Sequence, residues 1–334
     1  MNLRIVVALV LVCSACGPRS APPRTSPKPE VVLSGFDATP VIDALGEELA
    51  WYDWKAKRID RVRGGVVERV ADLEVDTLSR LRVFADNSFL VGQSEAILAF
   101  SASGAMTRIE VMAYDIDGVG IDDFWYLPVQ SSGTSACRHL TGTTPDVCIA
   151  ASEHSAGRLV VSGDGSVFVS TIGGSVFSPR NGVKRIKDGV VSDVASYRSG
   201  DVVSQFRKSG DTVWARVSDL HFGFIEVGTG EAKLLGRNVL DVRGTRDDYV
   251  YIQSDYETES DPSSSCSSVL LSPCGTKLKW VEQVVYRSNG GALTELGHDS
   301  CVSGATLCEP HEDVLGRSGG KVFLLEKQLR SLSE

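Results

Sequence analysis

Short runs of alternating apolar and polar residues recur along this 334-residue chain, each preceded by a turn rich in Gly, Asp, Asn or Ser. Alternation with a period of two predicts half-buried β-strands, and closely spaced turn residues are typical of an all-β protein. One type of strand opening occurs seven times, starting at Glu48, Ser88, Asp123, Ser166, Thr212, Tyr249 and Lys321. Five of the six intervals between these openings span 35 to 46 residues, and the last spans 72.

The interval length indicates the architecture, because repeats of about 40–50 residues with short strands are typical of β-propeller blades. We therefore predict that the body, residues 35–334, is an all-β β-propeller of about seven four-stranded blades. The long last interval is interpreted as one blade with two insertions. Six or eight blades, or two β-sandwiches, are the alternatives. Two short stretches, 73–81 and 328–332, are the competing helix candidates. The repeat resembles bacterial propeller lipoproteins in general.

The N-terminal residues have the pattern of a targeting sequence. Arg4 precedes an apolar run over residues 5–12, which is about half of the roughly 20 residues that a membrane-spanning helix needs. The run ends in Val-Cys-Ser-Ala-Cys, residues 12–16, and this motif resembles the lipobox of bacterial lipoprotein signal peptides. The resemblance implies that residues 1–15 are a cleaved signal peptide and that Cys16 receives lipid. Two or more acyl chains hold a protein stably at a membrane, so Cys16 is expected to be a permanent tether.

Residues 16–34 are predicted to be the lipidated cysteine followed by a linker with five prolines. Such a segment prefers extended polyproline geometry and acts as a semi-rigid spacer between membrane and body. Gly17 follows Cys16 where an aspartate would signal retention in the inner membrane. The lipoprotein resemblance therefore implies a location in the bacterial cell envelope, with the outer membrane favoured.

The cysteines outside the N-terminal region form three close couples. These are Cys137 with Cys148, Cys266 with Cys274, and Cys301 with Cys308. An exported protein meets an oxidising environment, and close couples in polar loops favour sequential disulfides. The last four cysteines could also exchange partners. A zinc site is the rival interpretation, but no couple has the tight two-residue spacing of zinc ligands.

One acidic motif, Asp-Ile-Asp-Gly-Val-Gly-Ile-Asp-Asp over residues 115–123, runs directly into a strand. It resembles the calcium loop of FG-GAP propeller repeats, and the resemblance implies that Asp115, Asp117 and Asp123 would be the ligands. Val119 stands where that loop has a further ligand, so any calcium site is expected to be weak. The competing interpretation is an ordinary Asp- and Gly-rich turn with solvated carboxylates. No other cofactor is predicted.

Charge and the missing motifs limit the function. The formal net charge of −9 argues against nucleic acid as a partner, since its binders carry a basic surface. The chain has no Gly-x-Ser-x-Gly elbow and no phosphate or dinucleotide loop. We therefore expect a non-enzymatic binding or scaffold module for an envelope protein or glycan, with the cysteine-stapled loops as the contact surface. The alternative is an envelope hydrolase or lyase that uses carboxylates at the rim.

The lipid anchor can be tested at Cys16. Cys16→Ser removes the sulfur that lipidation requires, so we expect the variant to lose lipid labelling and to stay unprocessed or mislocalised. Metabolic labelling with a fatty-acid analogue, followed by detergent partitioning, measures both effects. A variant that partitions into detergent as the wild type does would contradict the lipoprotein interpretation.

Overall fold

The alternating segments all form strands in the computed structural model. The structure describes residues 26–36, 40–43, 45–46, 48–129, 134–143, 145–152, 155–172, 174–175, 178–179, 181–197, 202–218, 223–227, 233–235, 238–260, 276–300, 314–325 and 328–334. No helix occurs among them, and so none is long and apolar enough to cross a membrane in this part of the chain. The helix candidate at 73–81 is instead a connection that ends in the strand beginning at Arg80, and the candidate at 328–332 lies almost entirely in a strand.

The described strands form seven four-stranded antiparallel sheets and one short ribbon. The first strand is β1 (Glu30–Leu33). Blade 1 contains β2 (Val41–Asp43), β3 (Ala50–Asp53), β4 (Arg58–Arg63) and β5 (Val66–Asp72). Blade 2 contains β6 (Arg80–Val83), β7 (Phe89–Gly92), β8 (Ile97–Phe100) and β9 (Met106–Ile109). Blade 3 contains β10 (Ala113–Gly120), β11 (Asp123–Pro128), β12 (Thr134–Leu140) and β13 (Val147–Ser152).

The second half of the ring repeats this order. Blade 4 contains β14 (Ser155–Val161), β15 (Val167–Ile172), the ribbon β16 (Gly174–Ser175) and β17 (Ser178–Pro179), then β18 (Asn181–Lys187) and β19 (Val190–Tyr197). Blade 5 contains β20 (Val202–Ser209), β21 (Thr212–Ser218), β22 (Gly223–Glu226) and β23 (Lys233–Leu235). Blade 6 contains β24 (Val239–Gly244), β25 (Asp248–Ser260), β26 (Thr276–Asn289) and β27 (Ala292–Ser300). Blade 7 contains β28 (Val314–Ser318), β29 (Lys321–Leu325) and β30 (Leu329–Ser333).

The prediction of a seven-bladed propeller is confirmed. Each recurring opening lies at the second strand of a blade, from β3 in blade 1 to β29 in blade 7. The long last interval is indeed a single blade, because β24 to β27 form one sheet. Its additional length falls between β25 and β26 and between β27 and β28, which are the two segments that carry Cys266, Cys274, Cys301 and Cys308.

The apolar core is divided into seven layers, one between each pair of neighbouring blades. Tyr52 and Phe89 belong to the layer between blades 1 and 2, and Trp214 belongs to the layer between blades 5 and 6. Trp51 and Phe323 join blade 1 to blade 7. Each sheet therefore has both faces covered, and its strands carry more apolar residues than a one-sided sheet would.

The N-terminal strand closes the ring. β1 pairs with β30 in antiparallel fashion, with Glu30 opposite Ser331 and Leu33 opposite Leu329, and so completes blade 7 as its outer strand. Leu33 also packs against the layer that contains Trp51. The first described strand of the propeller thus lies inside the predicted linker of residues 16–34. β1 reads Glu-Val-Val-Leu, which does not alternate, and Pro27 and Pro29 precede it.

A carboxylate shapes the turn after the first strand in several blades. The Asp86 carboxylate accepts hydrogen bonds from the main-chain N–H and the hydroxyl of Ser88 (2.9 and 2.6 Å). In blade 4, Asp164 likewise accepts a bond from the N–H of Ser166 (2.9 Å). Gly165, between these two, has a φ of 77°, which a glycine adopts without strain. The turn residues that precede the second strands in the sequence thus form turns with a defined hydrogen-bond pattern.

Antiparallel order divides the connections between two faces. The turns that join first to second and third to fourth strands lie on one face, which we call the turn face. The second-to-third and blade-to-blade connections lie on the other, the connection face. The long strands β25 and β26 extend toward the connection face, whereas Cys137 and Cys148 lie on strands that lead to the turn face. The strands β25 and β26 therefore end toward the face opposite to the turn between β12 and β13.

Ring closure can be tested by paired deletions that keep Cys16. Deleting residues 17–25 removes only linker, so we expect an unchanged melting temperature. Deleting residues 17–33 also removes β1, exposes the edge of β30 and uncovers part of the Trp51 layer. Since about 1 kcal/mol shifts the melting midpoint of a domain this large by roughly 2–4 °C, we expect a decrease of about 5–10 °C in calorimetry. Equal melting temperatures would show that β1 does not close the ring.

Candidate functional site: the charged channel and the cleft between blades 3 and 4

The first strand of each blade is its inner strand, and the inner strands place charged side chains around the central channel. Alternation turns every second residue of these strands away from the apolar layers, and several of those positions are charged. The cations are Arg80, Arg82, Arg158, Arg207, Lys208 and Arg243, and the carboxylates are Asp43, Asp115, Asp117 and Asp241. The channel therefore carries more positive than negative groups, although the whole chain has a formal net charge of −9.

Asp117 is the centre of this network. Its carboxylate accepts hydrogen bonds from Arg82 Nε of blade 2 (2.6 Å), Lys208 Nζ of blade 5 (2.7 Å) and the main-chain N–H of Val161 in blade 4 (2.7 Å). Burial raises its pKa, but the positive charges of Lys208 and Arg82 outweigh that effect and hold the pKa below its ordinary value. One buried carboxylate of blade 3 thus joins three other blades.

A common hydrogen bond fastens each inner carboxylate to the following blade. Asp43 accepts the N–H of Val83 (2.8 Å), Asp115 accepts that of Leu159 (2.9 Å), and Asp241 accepts that of Leu315 (2.7 Å). In each case, the aspartate of one inner strand binds the main chain of the next inner strand. These carboxylates therefore stabilise the ring, and their lone pairs are used in that role.

The structure separates the residues of the predicted calcium motif. Asp115 and Asp117 lie on the inner strand β10 and face the channel, whereas Asp123 lies on β11 and binds the exposed Arg138 (2.6 and 2.7 Å). No group of three or more His, Cys, Asp or Glu side chains suited to a metal ion occurs in the described part of the chain. Calcium binding stays a prediction of the sequence.

Of the three cysteine couples, the structure describes one. Cys137 and Cys148 are directly opposite each other on β12 and β13 and form the predicted disulfide. The couples Cys266–Cys274 and Cys301–Cys308 lie outside the described residues, as does Cys16. Their pairing and the lipidation of Cys16 stay predictions.

The largest cavity described, about 410 Å³, is a cleft on the turn face between blades 3 and 4. Val119 lies near the end of β10, and Leu140 and Val147 flank the turn between β12 and β13. Their exposed fractions are 65%, 42% and 59%, which is unusual for large apolar side chains gathered around one cavity. Asp188 and Gly189 of blade 4 form the opposite wall. We call this region the blade 3–4 cleft.

The tryptophans contribute to the core more than to a binding surface. Trp51 and Trp214 are fully buried between blades, as core packing predicts. Trp125 is partly buried and lines the blade 3–4 cleft beside Val119.

Sequence reasoning missed the channel arginines, and the signal for them was present. Buried strands in a propeller are largely apolar, yet β6 reads Arg-Leu-Arg and β24 contains Asp-Val-Arg at alternate positions. Charges that share one face of a first strand are expected to line the central channel. Arg158 of blade 4 and Arg207 and Lys208 of blade 5 also lie on first strands, but no short motif marks them.

The comparisons with known proteins support the fold. No protein-family model matches the chain, and no curated protein matches it in sequence. Among solved structures, a streptogramin B lyase is 13% identical, with a TM-score of 0.54 and coverage of 92% of this chain and 96% of the other. BBS1N, solved in complex with ARL6DN, is 12% identical (TM-score 0.52, coverage 92% and 95%). YCF48 bound to D1 peptide is 13% identical (TM-score 0.54, coverage 94% and 100%). Likeness at this identity shows the propeller fold alone.

The Asp117 network can be tested by removing its charge. Asp117→Asn leaves Arg82 and Lys208 buried without their shared counter-ion, so we expect a loss of about 3–5 kcal/mol in the free energy of unfolding by urea. The matched control, Asp123→Asn, breaks only the exposed pair with Arg138 and is expected to cost at most about 1 kcal/mol. Equal losses in both variants would contradict the central role of Asp117.

The same network predicts a pH dependence. The folded pKa of Asp117 is lower than that of the unfolded chain, so its contribution is complete above the ordinary carboxyl pKa of about 4. The contribution is lost as pH falls through the folded value. Urea unfolding below pH 4 is therefore expected to narrow the difference between wild type and Asp117→Asn.

Proposed function

We propose that the protein is a lipid-anchored, non-enzymatic binding module of the bacterial cell envelope, and that it holds a protein partner through the blade 3–4 cleft. The observation that carries this proposal is the cluster of exposed apolar side chains, Val119, Leu140 and Val147, around the largest described cavity. Contiguous exposed apolar groups rimmed by polar residues are typical of interaction surfaces.

The cleft is well suited to hold a partner without rearranging. Val119, Leu140 and Val147 lie at the ends of paired strands, and the disulfide between Cys137 and Cys148 joins two of those strands. A rigid surface loses little conformational entropy on binding, so more of the contact energy contributes to affinity.

Charge around the cleft indicates the chemistry of the partner. Asp123, Asp146 and Asp188 line it together with one cation, Arg138. Asp123 is paired with Arg138, and Asp146 binds Tyr126 Oη (2.9 Å) and lies 3.0 Å from His139 Nδ1. The surplus of acid favours an extended peptide segment with an apolar side chain next to a basic residue. YCF48, a propeller of similar fold, is bound to a peptide, so such a ring can present a peptide site.

The envelope location rests on the N-terminal sequence. A lipid chain on Cys16 and a proline-rich spacer would hold the propeller close to the membrane, with the outer membrane favoured by Gly17. Ser26 and Pro27 contact β27, so the spacer available between Cys16 and the body is about ten residues. In polyproline geometry this length spans roughly 30 Å.

An enzyme that uses rim carboxylates is the alternative. Such an enzyme needs carboxylates that converge and are available for proton transfer. The channel carboxylates are instead bound by cations and main-chain N–H groups, and the turn-face carboxylate Asp123 is bound by Arg138. A binding module agrees better with this arrangement.

The proposal is tested by affinity purification from solubilised membranes with the full-length lipidated chain as bait. Val147→Asp places a charge in the apolar wall of the cleft, and we expect it to reduce recovery of the specific partner about tenfold. Val66→Asp is the matched control, because Val66 is 64% exposed and lies on the outer strand of blade 1. The control should recover the partner as the wild type does.

Three outcomes would overturn the proposal. The first is unchanged recovery with Val147→Asp, and the second is equal loss with both variants. The third is recovery of a glycan rather than a protein, because an acidic cleft with apolar walls fits a peptide. Circular dichroism of each variant confirms that it is folded before recovery is compared.

A further inference from the structure

Three arginines from three different blades meet at the mouth of the channel on the connection face. Arg80 comes from β6, Arg158 from β14 and Arg207 from β20, and all three line one cavity of about 230 Å³. Gln205 and the carboxylate of Asp115 line the same cavity. We call this cavity the basic mouth. It lies on the face opposite to the blade 3–4 cleft.

Two of the three arginines are neutralised by carboxylates. Arg207 Nε donates to Asp241 (2.6 Å), while its Nη atoms donate to the Phe206 carbonyl (2.9 Å) and the Gln205 side-chain oxygen (3.0 Å). Arg80 Nε donates to Asp115 (3.2 Å). Arg207 is almost fully buried, so these contacts also hold its guanidinium in a fixed position.

Arg158 differs, because its hydrogen-bond partner among the described residues is an uncharged carbonyl. Its Nε donates to the main-chain carbonyl of Ser204 (2.9 Å), and no carboxylate among the described residues forms an ion pair with it. Burial lowers its pKa, and the neighbouring Arg80 and Arg207 lower it further, whereas Asp115 raises it. The Arg158 side chain is only partly buried, so its guanidinium can still be reached from the mouth.

A second observation shows the same excess of positive charge deeper in the channel. Arg243 donates to the carbonyls of Leu315 (2.8 Å) and Gly46 (3.0 Å), but its Nη2 atom is buried and has no hydrogen-bond partner in the described structure. Burial lowers the pKa of Arg243 to about 10, and the positive charge of Arg207 contributes to this decrease. Buried donors without a partner are costly, so an anion or water in the channel would stabilise this arrangement.

We propose that the basic mouth is a binding site for a small oxyanion, meaning a phosphate or carboxylate group of a small molecule, with Arg158 as its principal ligand. Arg80, whose charge is balanced by Asp115, would add a further N–H donor at the mouth, and the fixed Arg207 borders the site from below. Arginine binds such groups through two parallel N–H···O bonds, and charge-assisted bonds of this kind are about twice as strong as neutral ones. The cavity is large enough for one such group and too small for a folded chain.

The position of the site separates it from the proposed protein-binding surface. The blade 3–4 cleft opens on the turn face, and the basic mouth opens on the connection face, where β25 and β26 extend beyond the ring. The two sites share no lining residue. The two sites can therefore be altered by separate substitutions.

The experiment measures anion binding by the full-length chain in detergent. Inorganic phosphate and citrate present the two oxyanion groups, and chloride at matched ionic strength is the reference. Because a ligand that binds only the native state stabilises it, we expect saturating phosphate or citrate to raise the melting temperature by about 2–4 °C over chloride. Isothermal titration calorimetry then identifies which of the two binds more tightly.

Arg158→Gln is the diagnostic variant, and we expect it to weaken the tighter anion about tenfold. Arg80→Gln tests the same site at a more exposed position, and we expect a smaller loss of several-fold. The matched control is Arg108→Gln, because Arg108 is exposed on the outer strand of blade 2 and pairs only with Glu110 (2.7 Å). It should bind the anion as the wild type does.

Several results would overturn the proposal. One is the absence of any shift with either anion. Another is an equal shift in wild type, Arg158→Gln and Arg80→Gln, which would place the effect on the general surface. If Arg158→Gln does not fold, the comparison of Arg80→Gln with Arg108→Gln decides, and equal affinities in these two variants would refute the site.

Discussion

The closed ring is the constraint on which the rest of this structure depends. Each blade is a four-stranded sheet whose two faces pack against the two neighbouring blades, so no blade has an independent core. A missing contact between any two blades would expose apolar layers on both sides of the break. The pairing of β1 with β30 closes the last gap, and it does so with a strand from the other end of the chain. The stability of the propeller therefore depends on the complete ring and not on single blades. In an open repeat array, by contrast, the stability is approximately the sum of the contributions of the repeats.

The channel adds a second, polar level of attachment. Aspartates of the inner strands bind main-chain N–H groups of the following blade, and arginines reach across to neighbouring carboxylates. Buried ion pairs contribute little net stability when compared with apolar packing, but they strongly penalise arrangements that leave one charge alone. The network therefore favours one register and one order of blades. Cations outnumber carboxylates on these inner strands, and this excess distinguishes the basic mouth from the chain as a whole, whose formal net charge is −9.

The sequence predicted the architecture well because its signals were local. The openings at Ser88, Ser166 and Lys321 each follow turn residues and lead into a short β-rich strand, so the repeat length and the number of blades could be counted directly. The closing strand was missed because β1 lies among prolines and its partner is about 300 residues away. The acidic motif was interpreted as a loop, whereas Asp115 and Asp117 continue a strand and face cations from β6 and β20. Such long-range partners leave no trace in the spacing of neighbouring residues.

The position of the first described residues has a mechanical consequence. Ser26 lies 2.8 Å from His298 Nδ1 and also bonds Glu295, and the Pro27 carbonyl accepts the N–H of His298 (3.1 Å), so the chain is fixed to blade 6 before it enters blade 7 as β1. Tension applied to the N-terminal segment would first load these contacts and only then the ladder between β1 and β30. The contacts with blade 6 would thus protect the pairing of β1 with β30 from a pulling force. Under load, the lifetime of the native state is set by the rate at which these contacts open, and not by the equilibrium stability of the propeller.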